Sequence, residues 1–329
     1  MPFPLPKKLP PLTHVRQGMA GFALSEEIAV RFPLPLPDGS YDLTRLAGKT
    51  VERFLAFGGG ERSYAKVGNI LAPIRRLAPT GLKTLPVPLR ETHQAPGLRL
   101  PASSLEAMAR LLRQSRHDTP YTHVAAFLPG GRVVATDGFV LLIADGAHAF
   151  KFDYPVYLGH EGLKLLKGAT QIGYALDEEQ KLEHLAVKAG SFTYLITPWD
   201  LQYPKYESVP AQLDHPDTLP VPGNPPLYGV EFWEDLAKAG YTKVFLTEDP
   251  PHAIRDEGDA ETVLELPAPL GLDPDLPLAL TVEYVLLAKR FVGTGHQARM
   301  LPRPKGDHLF EFSSPDGRLR AYLHALRVR

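Results

Sequence analysis

Between residues 97 and 200 the apolar and polar positions change from a helical to a strand period and back again. Ser103 and Ser104 can cap a helix on which Leu105, Met108, Leu111 and Leu112 share one face. Arg110, Arg113 and Arg116, set three apart, fall on another face, so the helix is amphipathic and basic. Strand-like runs follow at 122–128, 132–136 and 139–143, separated by Pro129-Gly130-Gly131 and by Asp137-Gly138, a preferred hairpin turn. Phe150 to Tyr154 alternates as a half-buried strand should, and His160 to Ala169 reads as a short helix carrying Lys164 and Lys167. Runs at 172–176, 182–187 and 192–196 complete the unit.

The same order of elements recurs further on. A helix is predicted over Glu231 to Gly240, strands at 244–247, near Ala253, at 262–266 and at 277–281, then a second helix over Val282 to Val292 bearing Lys289 and Arg290. Strands at 297–301, 309–312 and 319–326 close the chain. The simplest reading is an α+β fold in which one module of two helices and about eight strands occurs in tandem. Residues 97–212 and 213–329 are the two clear copies. Residues 1–96 fit less well, as a third, divergent N-terminal domain: strands are plausible at 14–24 and 28–34. Asp42 can cap a helix reaching about Phe57, on which Arg45, Lys49 and Arg53 form one basic stripe.

Charge adds a gradient to this picture. The chain's 36 basic and 37 acidic residues nearly cancel, but residues 1–96 hold 13 basic against 7 acidic and residues 213–329 hold 12 against 18. An anionic partner should therefore meet a localised surface. The absence of cysteine excludes disulfide frameworks, thiolate metal centres and cysteine nucleophiles. The 12 histidines show no metal-ligand pairing, and the acidic run from Glu248 to Glu261 lacks the spacing of a calcium loop. Gly58-Gly59-Gly60 is not followed by the lysine and hydroxyl residue of a phosphate loop. No metal or cofactor is called for, and no catalytic motif appears, so a non-enzymatic protein is expected. Prolines at 2, 4, 6, 10 and 11 make the start an extended arm rather than a secretory signal. With no run of 18 or more apolar residues, no membrane partner and a cytoplasmic location are the default.

Three motifs, in order, resemble one family. Ala135-Thr136-Asp137-Gly138, followed by an apolar strand, is similar to the A-T-D-G-H-R-L segment of the bacterial DNA polymerase III beta subunit, the sliding clamp. Tyr203-Pro204-Lys205-Tyr206 with Pro210 resembles that family's F-P-D-Y-x-x-x-x-P run, and Tyr322 to Arg327 sits where the family ends in Y-V-V-M-P-M-R-L. The resemblance covers 97–329 well and 1–96 poorly. It implies three clamp domains per chain, with two chains joined head to tail as a homodimeric ring around duplex DNA. A clamp loader would be a partner, and polymerases and other clients would dock through short hydrophobic peptides. It also implies sequence-neutral contact of DNA with Arg110, Arg113, Arg116, Lys164, Lys167, Lys289 and Arg290, and with Arg45, Lys49 and Arg53 of the first domain. The peptide groove would comprise Thr136, Gly138, Leu141 and Pro210, with Phe139 and Val140 replacing the family's His and Arg. Leu323, Ala325 and Leu326 would stand in for its C-terminal pattern. The alternative is a diverged clamp-fold protein that binds proteins or peptides and never closes on DNA.

Overall fold

The computed structural model describes residues 3–7, 9–57, 62–77, 93–94, 98–115, 117, 119–150, 153–176, 182–223, 225–257, 260–268, 272–273, 277–303 and 307–326. Its first stretch contains, besides one 3-10 turn, the strands β1 (Phe3–Pro4), β2 (Thr13–Arg16), β3 (Met19–Ala23), β4 (Ile28–Pro33), β5 (Gly39–Asp42), β6 (Thr50–Val51), β7 (Arg53–Phe57), β8 (Arg62–Val67), β9 (Ile70–Leu77) and β10 (His93–Gln94). The second contains α1 (Ala102–Gln114), β11 (Val124–Leu128), β12 (Arg132–Thr136), β13 (Val140–Ala144), β14 (Val156–Gly159), α2 (His160–Lys167), β15 (Gln171–Leu176), β16 (Leu182–Ala189) and β17 (Phe192–Ile196). The third contains α3 (Ser208–Gln212), β18 (Leu219–Pro220), α4 (Val230–Lys238), β19 (Lys243–Phe245), β20 (His252–Glu257), β21 (Ala260–Glu265), β22 (Ala279–Thr281), α5 (Val282–Val292), β23 (Gln297–Leu301), β24 (Leu309–Ser313) and β25 (Leu319–His324).

The chain forms two compact units, one of residues 1–96 with 168–198, the other of 97–167 with 199–329. The first is an 11-stranded sheet in the order β10-β15-β16-β17-β4-β3-β2-β5-β9-β8-β7. Its core gathers Val15, Phe22, Val30, Phe32, Tyr41 and Val51 from alternating strand positions. The proline-rich start is extended, as its φ restriction demands. Its Leu5 and Leu9 enter the same core, and β1 pairs with β6 through Phe3 and Val51.

The helix expected from Asp42 to Phe57 does not form. Asp42 does accept from the backbone and hydroxyl of Thr44, but the turn it starts is a 3-10 turn of three residues, Thr44–Leu46. Gly48 then takes φ +70° and ends it, and the β-branched and aromatic residues that follow enter β6 and β7. Arg45, Lys49 and Arg53 therefore share no helical stripe: Arg45 lies in the turn, Lys49 beyond it and Arg53 on β7.

The second unit has an eight-stranded sheet, β14-β11-β12-β13-β25-β24-β23-β18, and a four-stranded one, β21-β20-β19-β22. Among the described residues four helices of eight residues or more, α1, α2, α4 and α5, pack with them. α1 lacks the predicted serine cap: Pro101 occupies that position, and the buried Ser104 hydroxyl instead donates to the carbonyl of Phe291 on α5 at 2.7 Å. The strand expected at 150–154 is replaced by a bend at Asp153-Tyr154 and the strand β14, while Lys151 and Phe152 lie outside the described residues.

One order recurs three times. Four successive strands of each stretch lie as fourth-first-second-third: β5-β2-β3-β4, β14-β11-β12-β13 and β22-β19-β20-β21. In the second and third stretches a helix precedes these strands and another follows them. In the first stretch the arm and the 3-10 turn hold those places.

Candidate functional site

Two surfaces of the second unit carry the residues singled out in the sequence. The first is a groove of about 650 Å³ between α1, α2 and α5, into which Arg110, Arg113, Lys164, Lys167 and Arg290 project. Helical spacing puts them there, because Leu105, Met108, Leu111 and Leu112 of α1 and Leu163 and Leu166 of α2 are buried on the opposing faces. Three of the five cations are paired. Arg110 reaches Glu283 at 2.9 Å, Arg290 reaches Glu234 at 2.7 Å and Lys167 reaches Glu106 at 2.5 Å. Hydrogen bonding and charge from Lys167 hold the Glu106 carboxyl below its ordinary range, as Arg290 does for Glu234. Arg113 and Lys164 have no acidic partner among the described residues, so the positive field of the groove is concentrated on them. Arg116 lies outside the described residues.

Lys289 is the departure. It is 1% exposed, and its ammonium donates to the carbonyls of Pro226 at 2.5 Å and Tyr228 at 2.9 Å. Its third contact is His296 Nε2 at 3.0 Å, while His296 Nδ1 lies 2.9 Å from the carbonyl of Gly293. A carbonyl only accepts, so Nδ1 carries the imidazole proton and Nε2 accepts from the lysine. Burial pushes the Lys289 ammonium down to about 7 and lowers His296 as well. The residue ties the loop that holds Leu227 and Tyr228 at positive φ to α5, and it faces no solvent. The spacing of Val282, Val285, Lys289 and Val292 on one helical face was the signal for this burial.

The second surface is a smaller groove of about 170 Å³ whose walls come from β13, β25 and the 203–209 segment. Its turn is built by side chains: Thr136 Oγ1 donates to the Val140 carbonyl and accepts from Gly138 N, while Asp137 Oδ1 accepts from Phe139 N and Val140 N. Gly138 has φ +93°, which disfavours any larger residue there. Thr136, Gly138, Phe139, Val140 and Leu141 all line the groove. Phe139 is 51% exposed and stacks with Tyr284, with ring centroids 6.1 Å apart, whereas Val140 and Leu141 are largely buried.

The C-terminal contribution is shifted by one residue. β25 alternates, so Tyr322 and His324 face the groove, while Leu323 points to the other side and is buried together with Ala325. Leu326 forms a bridge to Ala279. Pro210 sits in α3 and does not line the groove; its neighbour Val209 does, with Tyr121, Pro204, Lys205, Tyr206 and Leu309. An ionic frame lies behind: Asp145 accepts from Arg132 and Arg320, both at 2.6 Å, and Arg132 also contacts the Tyr206 hydroxyl. Burial raises the Asp145 pKa, but the two guanidinium hydrogen bonds outweigh it and hold the carboxyl below its ordinary range. A bidentate pair, Arg299 to the buried Glu311, lies on the next strands. The groove is thus an aromatic and aliphatic slot with Lys205 and His324 as its ionisable basic groups and no acidic one. Such a slot suits an extended apolar peptide segment.

No family model matches the chain, and no curated protein is significantly similar to it in sequence. Its fold, however, is that of solved DNA polymerase III beta subunits. The structure from Pseudomonas aeruginosa is 17% identical with a TM-score of 0.60, covering 96% of this chain and 92% of that one. The Helicobacter pylori beta clamp, solved with a DNA ligase peptide, is 14% identical with a TM-score of 0.63 and coverage of 96% and 90%. The Thermotoga maritima beta subunit is 16% identical with a TM-score of 0.62 and coverage of 97% and 91%.

Proposed function

We propose that the chain is a non-enzymatic, clamp-like processivity factor that encloses duplex DNA and tethers a polymerase or other client through a short hydrophobic peptide. The observation that carries this reading is the cationic groove of α1, α2 and α5 in a chain that has the clamp fold across nearly its full length. A surface of exposed arginine and lysine without base-reading geometry suits phosphate contact that ignores sequence and weakens with salt. The aromatic slot would take the client peptide, in keeping with the DNA ligase peptide bound to the H. pylori clamp. Cytoplasmic DNA and a clamp loader would be the remaining partners.

Closure as a head-to-tail homodimer has support in the strand pairing. We read the three recurring strand sets as three modules, at 1–96, 97–212 and 213–329. At two places the third strand of one module pairs antiparallel with the last strand of the next: β4 with β17, and β13 with β25. An analogous closure would bring β21 of the last module to the C-terminal strands of the first module of a second copy, where β9 is the longest strand.

One observation favours the second reading, a clamp-fold peptide-binding module that does not close on DNA. β9 lies between β8 and β5, so the chain's own β5 already pairs with its Arg75 to Leu77 end. Retention on DNA separates the two readings. A protein that stays on nicked circular plasmid in high salt and is lost when the plasmid is linearised is a ring. A strict monomer at high micromolar concentration, with no circular-DNA retention, leaves the peptide-binding reading.

A further inference from the structure

Among the described residues of 1–96 no α-helix carries the positive excess, and β7, β8 and β9 show where part of it goes. Phe54, Ala65, Val67, Ala72 and Ile74 turn one face of this three-stranded sheet into the core of the first unit. Alternation sends their neighbours to the opposite face. The ladder sets Arg53 opposite Lys66, Leu55 opposite Tyr64 and Phe57 opposite Arg62, while β9 adds Leu71, Pro73 and Arg75. None of these nine positions is acidic.

The face is open. Phe57 is 53% exposed and Leu71 52%, values high for large apolar side chains, and the Phe57 and Tyr64 rings meet edge to face at 5.9 Å. Lys66 is paired with Glu52 at 2.9 Å, and Arg75 lies across the ladder from Asp42. Arg53 and Arg62 have no acidic partner among the described residues, so their charge is available to a ligand.

We infer that this face of β7, β8 and β9 is a binding platform for single-stranded DNA, separate from the helical groove proposed for duplex. Two features select this occupant. Cations without base-reading geometry fit phosphates. The exposed Phe57 ring, set among the cations beside the half-buried Tyr64, fits bases that are free to stack, which a duplex does not offer. An anionic membrane surface would also meet the cations and bury Phe57 and Leu71, so it is the competing occupant that the test must separate.

The test is fluorescence anisotropy of the full-length chain with fluorescein-labelled dT20, a 20-base-pair duplex, and phosphatidylserine vesicles as a third probe. Phe57→Ala should weaken dT20 binding about tenfold and leave duplex binding unchanged. Arg53→Glu with Arg62→Glu should weaken dT20 further and flatten its salt dependence. Arg113→Glu with Lys164→Glu should do the reverse, lowering duplex binding and sparing dT20. These side chains are exposed, so the folded state is kept, and an unchanged melting temperature checks this. The inference is overturned if dT20 binding survives both β7–β8 variants, if it falls only with the α1–α2 variant, or if Phe57→Ala is silent while the arginine variant acts. It is equally overturned if vesicles, and not dT20, respond to these changes.

Discussion

The Lys289 ammonium satisfies its three donors on two carbonyls and a neutral imidazole, yet it has left water to do so. Its pKa in the folded chain is about 7, against about 10.5 when unfolded. Between these values the unfolded state binds more protons, so stability rises with pH across this window; on acidification it falls from about pH 10.5 to 7 and levels off below 7, where both states are protonated. His296 has the same sign at lower pH: it is neutral when folded, and stability is lost as pH falls below its ordinary value of 6.5. Lys289→Met should therefore flatten the rise in denaturation midpoint between pH 7 and 10, a comparison of two urea titrations. A parallel slope in wild type and variant would show that Lys289 does not titrate in the fold. At the groove proposed to take a client peptide, Phe139→Ala should weaken a bound apolar peptide by about five- to tenfold, the order of one aromatic contact. Isothermal titration would read this, and the exposure of the ring predicts an unchanged melting temperature. The resemblance of the segment around Ala135-Thr136-Asp137-Gly138 to the clamp family made Thr136, Gly138 and Leu141 legible as groove residues. Tyr322 and His324 were missed because a one-residue choice of strand phase exchanges the two faces, and nothing local fixes it.

At the scale of elements, what could be read was set by periodicity. α1, α2, α4 and α5 each bury an apolar stripe, and all four lie within a few residues of their predicted positions. The stripe from Arg45 to Arg53 had helical spacing too, but charged residues at that spacing create no burial, and Gly48 ends the turn before a second one can form. The ion pairs of the groove were illegible because their acids come from elsewhere, Glu234 from α4 and Glu283 from α5. They also decide which substitution is informative. Reversing Arg110 would place a carboxylate against Glu283 and confound charge with repulsion between helices. Arg113→Glu with Lys164→Glu removes the two cations that have no acidic partner among the described residues. It should lower duplex affinity at least tenfold at low salt and reduce the slope of log K against log salt by about 2. Filter binding across a salt series measures both, and an unchanged slope would exclude this face from phosphate contact.

For the whole molecule, the recurring fourth-first-second-third order links the poorly matching first 96 residues to the rest, and no local sequence pattern carried it. Strand pairing is long-range, and the first 96 residues keep this strand order although, among their described residues, no α-helix flanks the four strands. The sheet edge differs as well. In the later modules the last strands, β17 and β25, take a strand of the neighbouring module as second partner. In the first, β5 pairs with β9 through Ser40 with Leu77, Tyr41 with Arg76 and Asp42 with Arg75. If a ring closes through β9, this three-residue ladder is the contact that must give way, and the absence of cysteine makes the idea easy to test. Ser40→Cys with Leu77→Cys places two thiols on directly opposed positions, at a spacing a disulfide accepts. Oxidation should then reduce retention on circular plasmid several-fold, and reductant should restore it, while peptide binding by the second unit stays constant. Equal retention in both redox states would mean that closure leaves the β5–β9 ladder intact and uses another edge, for which β7 at the end of the same sheet is the alternative.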